Sequence, residues 1–164
     1  MSAPTAVMSE IARISDQLRR AYEGPAFHGD AIAEILDGVT VEIASAKPLH
    51  GIHSIWEIVL HMSVWLDVVR RRLSSPTLVI PTAEENFRAV EHVSAEAWER
   101  AKGELDDNYR LLLRAIGELP ETKPGLQVPG REYDYYTLLH GIVQHSLYHA
   151  GQIALLKKAE SFGD

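Results

Sequence analysis

Apolar residues recur every three or four positions along nearly the whole chain, and runs of strict alternation are few. This period places apolar side chains on one face of an α-helix, whereas a half-buried strand needs a period of two. A chain of 164 residues is long enough to bury one substantial core and requires no second one. The sequence therefore predicts an all-α protein in which residues 1–164 form a single domain.

The first two of four long segments with this helical period lie in the N-terminal half. The first covers Ala6 to Val39 and is interrupted at Gly24-Pro25, so it is either one kinked helix or two. The second begins after Ser54, a predicted N-cap, with Glu57 three residues later as its capping-box partner. Its apolar period stops at Ser74-Ser75-Pro76, where we expect the helix to end.

A long connection precedes the third helix. Thr77 to Val93 contains a proline and no sustained period, so we expect an irregular segment that holds no more than a short turn of helix. The third helix is predicted to begin after Ser94 and to end at Pro120, and the fourth runs from about Tyr135 to Ala159. Four long helices, with a long connection between the second and the third, predict a four-helix bundle.

Composition narrows the classes of function. The chain contains no cysteine, so any metal site must use imidazole and carboxylate groups. The formal charge is −7 and no basic run extends beyond Arg70-Arg71-Arg72, which argues against nucleic acid as a partner. The N-terminal sequence lacks the pattern of a secretory signal, and no segment approaches the ~20 apolar residues of a membrane span. We expect a cytoplasmic protein with neither nucleic-acid nor membrane partners.

The eight histidines are unevenly distributed, with three at or on the second helix and three on the fourth. His145 and His149 are one helical turn apart and project from the same face, which is how a helix presents two imidazoles to one ion. No glutamate lies between them, so the HExxH pattern of zinc proteases is absent. His140 lies about 140° around the helix from His145, at ~100° per residue, and is excluded from sharing the ion. We expect His140 to have a structural role or to lie at the rim of the site.

His61 lies on a largely apolar face of the second helix and is predicted to point into the bundle. A hydrogen bond to a carbonyl group would satisfy its ring as well as a metal would, so a metal-free histidine network stays open. Together with His145 and His149, however, His61 completes the three-ligand arrangement of catalytic metal sites. Such sites leave coordination positions for water or substrate.

Other side chains near these histidines are candidates for supporting roles. Glu57 and His53 precede His61 by one and two turns, so either could orient an imidazole by a hydrogen bond or act in catalysis. Glu57 also has the simpler interpretation of a capping carboxylate at the helix N-terminus. Trp65 and Tyr148 are candidates to line a pocket beside the ion, although aromatic residues at helical spacing are commonly part of a core.

Three stretches of the chain resemble the DinB-like superfamily, specifically its YfiT-like branch of metal-dependent hydrolases. They are GPAFHG from Gly24 to Gly29, HSIWEIVLH from His53 to His61, and HGIVQHSLYHAGQI from His140 to Ile153. The resemblance implies an up-down-down-up four-helix bundle and one nickel or zinc ion. Carried over to this sequence, the ligands are His61, His145 and His149.

Three functions remain open at this level. The first is a metal-dependent hydrolase that activates water for attack on a small-molecule substrate. The second, which the resemblance also implies, is a metal-dependent S-transferase that uses a low-molecular-weight thiol. The third is a structural or sensory metal site without catalysis. Apolar residues expected on helix surfaces, Leu111 and Leu113, also suggest a homodimer.

Overall fold

The computed structural model describes residues 8–161, with side chains for residues 8–159. Within that range no strand is formed, and seven helices follow one another along the chain. They are α1 (Glu10–Glu23), α2 (Ile32–Leu36), α3 (Val41–Ser45), α4 (Ile55–Arg72), α5 (Ala83–Asn86), α6 (Ala95–Gly117) and α7 (Tyr135–Ser161). Four of these, α1, α4, α6 and α7, are long, so the prediction of an all-helical chain with four long helices is confirmed.

The predicted first segment, Ala6 to Val39, proves to be two helices. α1 ends at Gly24, whose φ of 89° lies in the left-handed region that glycine adopts without strain. The Gly24 N–H donates to the carbonyl group of Arg20, which closes the last turn. α2 begins only at Ile32, so the break is too long for a kink. Residues 1–7, and with them the predicted start of the segment, lie outside the described residues.

Side-chain caps set the N-termini of the longer helices as predicted. The Ser54 hydroxyl accepts from the Glu57 N–H at 3.2 Å, and the Glu57 carboxylate accepts from the Ser54 N–H at 2.8 Å. Ser94 likewise accepts from the N–H of Ala97 at the start of α6. The N-caps and the capping box predicted for these helices are thus confirmed.

Two short helices lie in connections. α5 occupies the predicted irregular segment between α4 and α6, where Thr82 and Glu85 form a second capping box. α3 begins at a cap from Thr40 and was absent from the sequence prediction. Five residues are too few to display an apolar period, which explains the omission.

The long helices pack around one apolar core, in which α4 and α1 each contact both α6 and α7. α4 and α6 run in the same direction, because Trp56 near the start of α4 packs on Trp98 near the start of α6, while Ser63 meets Asn108 further along. α4 and α7 run in opposite directions, because the Tyr135 hydroxyl at the start of α7 donates to the Arg72 carbonyl at the end of α4. The site described below lies between these two antiparallel helices.

No helix within residues 8–161 combines the length and the apolar character that crossing a membrane requires.

Candidate metal centre

Three imidazoles converge between α4 and α7. The Nε2 atom of His145 lies 3.1 Å from Nε2 of His61 and 3.2 Å from Nε2 of His149. One ligand atom from each ring lies within 4.8 Å of the other two. His61 comes from α4, whereas His145 and His149 are one turn apart on α7. The structure therefore brings together the three histidines that the sequence pattern selected.

Burial keeps these imidazoles uncharged. His61 and His149 are 5% and 6% exposed, and His145 is half-buried. Burial lowers the pKa of all three rings, and the neighbouring His149 and His61 lower that of His145 further, to about 3. At neutral pH each ring therefore has one nitrogen with a lone pair, which is the form that binds a metal ion.

Hydrogen bonds decide which nitrogen carries that lone pair. Nδ1 of His61 donates to the backbone carbonyl of Asn86 at 2.7 Å, and Nδ1 of His149 donates to the side-chain oxygen of Gln152 at 2.6 Å. Because an oxygen acceptor requires Nδ1 to carry the proton, Nε2 of each ring is unprotonated. Its lone pair points toward the other two imidazoles. Sequence reasoning missed both of these acceptors. Gln152 was detectable, since it follows His149 by three residues on the same helical face.

The arrangement of nitrogen atoms fits a cation. His145 Nε2 has a single proton at most, so it can donate to one of its two Nε2 neighbours and leaves the lone pair of the other neighbour without a donor. Ligands held ~2.0–2.1 Å from a tetrahedral zinc ion lie about 3.3–3.4 Å from one another, close to the two short separations here. His145 Nδ1 is buried and has no partner among the described residues. The cluster is thus incomplete as a hydrogen-bond network, and its three nitrogen atoms could hold a metal ion.

Asn86 links the connection after α4 to the centre. It is the last residue of α5; its carbonyl group holds His61, and its side-chain oxygen accepts from the indole N–H of Trp65 at 2.8 Å. The next residue, Phe87, stacks on His61 with ring centroids 4.1 Å apart. The Thr82–Glu85 capping signature was the available sequence signal for an ordered turn at this point.

Glu57 and His53 do not contact the three imidazoles. The Glu57 carboxylate caps α4, pairs with Lys47 at 2.9 Å and lies 3.4 Å from Nδ1 of His53. His53 reaches the site only through Phe87, on which it stacks at 4.0 Å. The orienting role predicted for these two residues belongs instead to Asn86 and Gln152, because Glu57 is engaged at the helix terminus.

His140 lies outside the cluster, as the helical geometry indicated. Its Nε2 atom is 3.5 Å from the carboxylate of Glu10, and its ring packs on that of Tyr136. His140 therefore faces α1, whereas His145 and His149 on the same helix face α4.

A cavity of about 540 Å³ opens beside the three imidazoles, a size suited to a small molecule. Both predicted pocket residues line it: Trp65 is half-buried, and Tyr148 is 65% exposed at its edge. No carboxylate is among the described residues that line this cavity. Apart from the three histidines and the two aromatic residues, the lining consists of Val69, Arg72, Asn86, Tyr133, Thr137, Leu138, Gly141 and Ile142. A ligand there would contact mainly apolar and aromatic surface next to the imidazoles.

The fold and the site together define an all-helical protein with a buried three-histidine group that could hold a metal ion. The chain belongs to the DinB superfamily, whose family model matches residues 26–153 and thus includes all three histidines. No curated protein and no solved structure matches the chain.

Proposed function

We propose that His61, His145 and His149 hold one divalent transition-metal ion, and that the protein is a metal-dependent hydrolase of small molecules. The observation that carries the proposal is the convergence of three Nε2 atoms. Two of them, in His61 and His149, are kept unprotonated because Nδ1 of the same ring donates its proton to an oxygen acceptor. Neutral imidazoles suit zinc and nickel, and the chain offers no thiolate to compete. Three ligands leave coordination positions open toward the cavity, as in catalytic sites.

In this proposal the protein residues position the ligands and the substrate. A divalent ion bound here would supply Lewis acidity, which lowers the pKa of water and polarises a carbonyl group. Asn86 and Gln152 keep His61 and His149 oriented, while Trp65 and the apolar lining form the wall on which a substrate would lie. Because the described lining contains no carboxylate, the proton of the attacking water would leave to solvent or to product.

Elemental analysis of the purified protein tests the metal site. We expect a stoichiometric content of zinc or nickel, and its loss in His145→Ala. His140→Ala is a matched control, because it removes an imidazole from the same helix outside the cluster. Absence of metal from the wild-type protein, after reconstitution with either ion, would contradict the proposal. Hydrolysis of a panel of nitrophenyl esters and small amides by the loaded protein then tests the reaction.

A thiol S-transferase is the second candidate. The lack of a carboxylate base in the described lining favours it, because a thiol ionises far more readily than water and needs less assistance from a base. The chain has no cysteine of its own, so the nucleophile would be a low-molecular-weight thiol. Consumption of such a thiol with monochlorobimane by the loaded protein, without ester hydrolysis, would favour this candidate. A structural or sensory site would show strong stabilisation by metal and no turnover.

We also propose that the chain is one domain of the YfiT-like branch, folded as an up-down-down-up four-helix bundle. The shared direction of α4 and α6, and the long connection between them, support this topology. We expect a cytoplasmic protein with a small-molecule substrate and no membrane partner, and the net charge of −7 argues against nucleic acid as a partner. A homodimer has weaker support, because Leu111 is exposed whereas Leu113 is half-buried against the core.

A further inference from the structure

Arg72 is a buried cation in the wall of the cavity. This last residue of α4 is only 3% exposed. Its Nε donates to the carbonyl group of Val79 at 2.9 Å and its Nη1 to the hydroxyl of Tyr133 at 3.3 Å. Its Nη2 has no hydrogen-bond partner among the described residues. The guanidinium is thus held in place by neutral oxygens and is incompletely satisfied.

No carboxylate within the described part of the chain pairs with Arg72. The neighbouring Asp67 is engaged by Arg70 and Arg71 on the outer side of α4. Burial lowers the pKa of Arg72 and outweighs the opposing effect of Tyr133, and the nearby cation Arg131 lowers the pKa further. The indole of Trp65, 5.6 Å from the guanidinium carbon, compensates only in part. A buried charge without a counter-charge is costly, and an anionic ligand would reduce that cost.

The guanidinium and the imidazoles occupy different ends of the same cavity. Arg72 follows His61 by eleven residues, about 16 Å along the helix backbone. On the antiparallel side, Thr137 on α7 and Tyr133, two residues before α7 begins, precede His145. The Trp65 ring bridges the two ends, since its centroid lies 5.8 Å from that of His145 and its face meets Arg72. Val69, Leu138 and Ile142 line the space between, so the walls of the cavity are apolar there.

The Tyr133 hydroxyl, which lies next to the Arg72 guanidinium, can donate a hydrogen bond to a ligand in the cavity. Its hydroxyl oxygen accepts from Arg72, and within residues 8–159 the hydroxyl proton has no acceptor, so it is free to donate to a ligand. Thr137 offers another hydroxyl on the lining nearby. One cation and two hydroxyl groups match the single charge of a carboxylate better than the two charges of a phosphate monoester.

We propose that the cavity binds small substrates that carry a carboxylate. The carboxylate contacts the Tyr133 hydroxyl, and Arg72 neutralises its charge. The apolar middle part of the substrate lies on Trp65, and its reacting group faces the imidazoles. This specificity rests on the proposed function for its reacting end. The anion-binding end, in contrast, involves no metal ligand and is testable without turnover. Tyr133 is the residue that touches the substrate, and Arg72 acts through it and through its charge.

Calorimetric titration with phenylacetate and hydrocinnamate, each compared with its neutral amide, tests the proposal. We expect the zinc-loaded protein to bind at least one carboxylate about tenfold or more tightly than its amide. Tyr133→Phe should remove most of this preference and Arg72→Gln all of it. If Arg72→Gln fails to fold, Tyr133→Phe still decides, because it deletes one oxygen from a half-buried ring. Equal affinity for acid and amide, or no binding of either, would overturn the proposal.

Metal-free protein and His145→Ala separate this inference from the proposed function. A carboxylate held at the Arg72 end keeps its preference over the amide in both samples, whereas a carboxylate bound to the ion loses it in both. Loss of binding on metal removal, with retention in Tyr133→Phe and Arg72→Gln, would therefore overturn the inference and leave the metal site intact. Retained binding without any hydrolysis would leave the inference intact and count against the hydrolase.

Discussion

At the scale of residues, the centre depends on which imidazole nitrogen carries a proton. The carbonyl group of Asn86 and the side chain of Gln152 fix that choice for His61 and His149. Nδ1 of His145 has no such partner among the described residues, so no hydrogen bond at that nitrogen orients its ring. The acceptors beside the ligands thus contribute to metal affinity as the ligands do, because they hold the lone pairs toward a common point.

Replacing Gln152 by leucine tests this contribution. We expect Gln152→Leu to weaken metal binding by roughly 10–100-fold, because His149 loses the acceptor that fixes its Nδ1 proton. Competition with a chromogenic chelator measures the affinity. Gln144→Leu is the matched control, an exposed glutamine on the same helix, and should bind metal as the wild type does. Equal affinities for the two variants would show that Gln152 does not orient the ring.

The carboxylate of Glu57 predicts a pH-dependent stability unrelated to metal. Burial raises its pKa, but hydrogen bonds from Lys47 and the Ser54 N–H outweigh burial, so the folded-state pKa is lowered. Its ionised form therefore stabilises the fold above the unfolded pKa, and that contribution is lost as pH falls through the folded pKa. We expect Glu57→Gln to lower the free energy of unfolding by about 1 kcal/mol at neutral pH.

Urea unfolding at a series of pH values measures this effect on metal-free protein. The difference between Glu57→Gln and the wild type should shrink as pH falls from the unfolded-state pKa, about 4.3, through the lowered folded-state pKa, below which the carboxyl group is protonated in both states. Glu121→Gln, at an exposed carboxylate after α6, should change little at any pH. A difference that is constant with pH would contradict the assignment to the ionised carboxylate.

At the scale of elements, the short helix α5 is the least expected part of the site. It contains no buried residue, yet its last residue supplies the acceptor for His61 and the partner of the Trp65 indole. An element of this kind adds little to the core and owes its order to its capping box and to its contacts with α4. Its integrity should therefore affect the metal site more than overall stability.

Thr82→Ala removes the α5 cap and tests this separation. We expect the change to weaken metal binding several-fold, because Asn86 no longer holds His61, while the midpoint of metal-free thermal unfolding changes little. Hydrogen exchange should show faster exchange in residues 83–87. Thr40→Ala, which removes the corresponding cap of α3, is expected to leave metal affinity unchanged. Equal effects of both variants on affinity would contradict a specific role for α5.

The parts of the site that could be predicted from the sequence are those whose residues recur at the helical period of 3.6. His145 and His149 are related by one helical turn, and the apolar face around His61 follows from the same period, so the three rings could be selected without coordinates. The acceptor at Asn86 could not be predicted, because every residue has a carbonyl group and only the path of the connection decides which one meets His61. Arg72 was visible only as part of a basic run, since its burial depends on Val79 and Tyr133 from other segments.

At the scale of the whole molecule, the three imidazoles join two long helices that are far apart in sequence. α4 and α7 are held together at one end by the Tyr135 hydroxyl on the Arg72 carbonyl and nearer the other by the histidine cluster. An ion bound by all three rings would link these helices only in the folded state, because the unfolded chain does not preserve the cluster. Metal binding should therefore stabilise the whole fold.

Thermal unfolding at increasing zinc concentration tests this coupling. Ligand at a hundred times its dissociation constant stabilises a fold by about 2.7 kcal/mol, so the midpoint should rise steadily with free zinc. The rise should be much smaller in His145→Ala, which keeps the other two rings, and unchanged in His140→Ala. A midpoint insensitive to zinc in the wild type would mean that the ion, if bound, does not favour the folded state.

The position of Trp65 has an optical consequence. Its indole is half-buried beside His61 and His145, whereas Trp56 and Trp98 are enclosed together in the core and meet each other at 5.4 Å. Of the three indoles, Trp65 alone lines the cavity, so the ligand-dependent part of the intrinsic fluorescence would originate from it. An open-shell ion such as nickel would quench the Trp65 fluorescence, whereas closed-shell zinc would not quench it in this way. The intrinsic fluorescence of the protein would therefore report which ion and which ligand occupy the cavity.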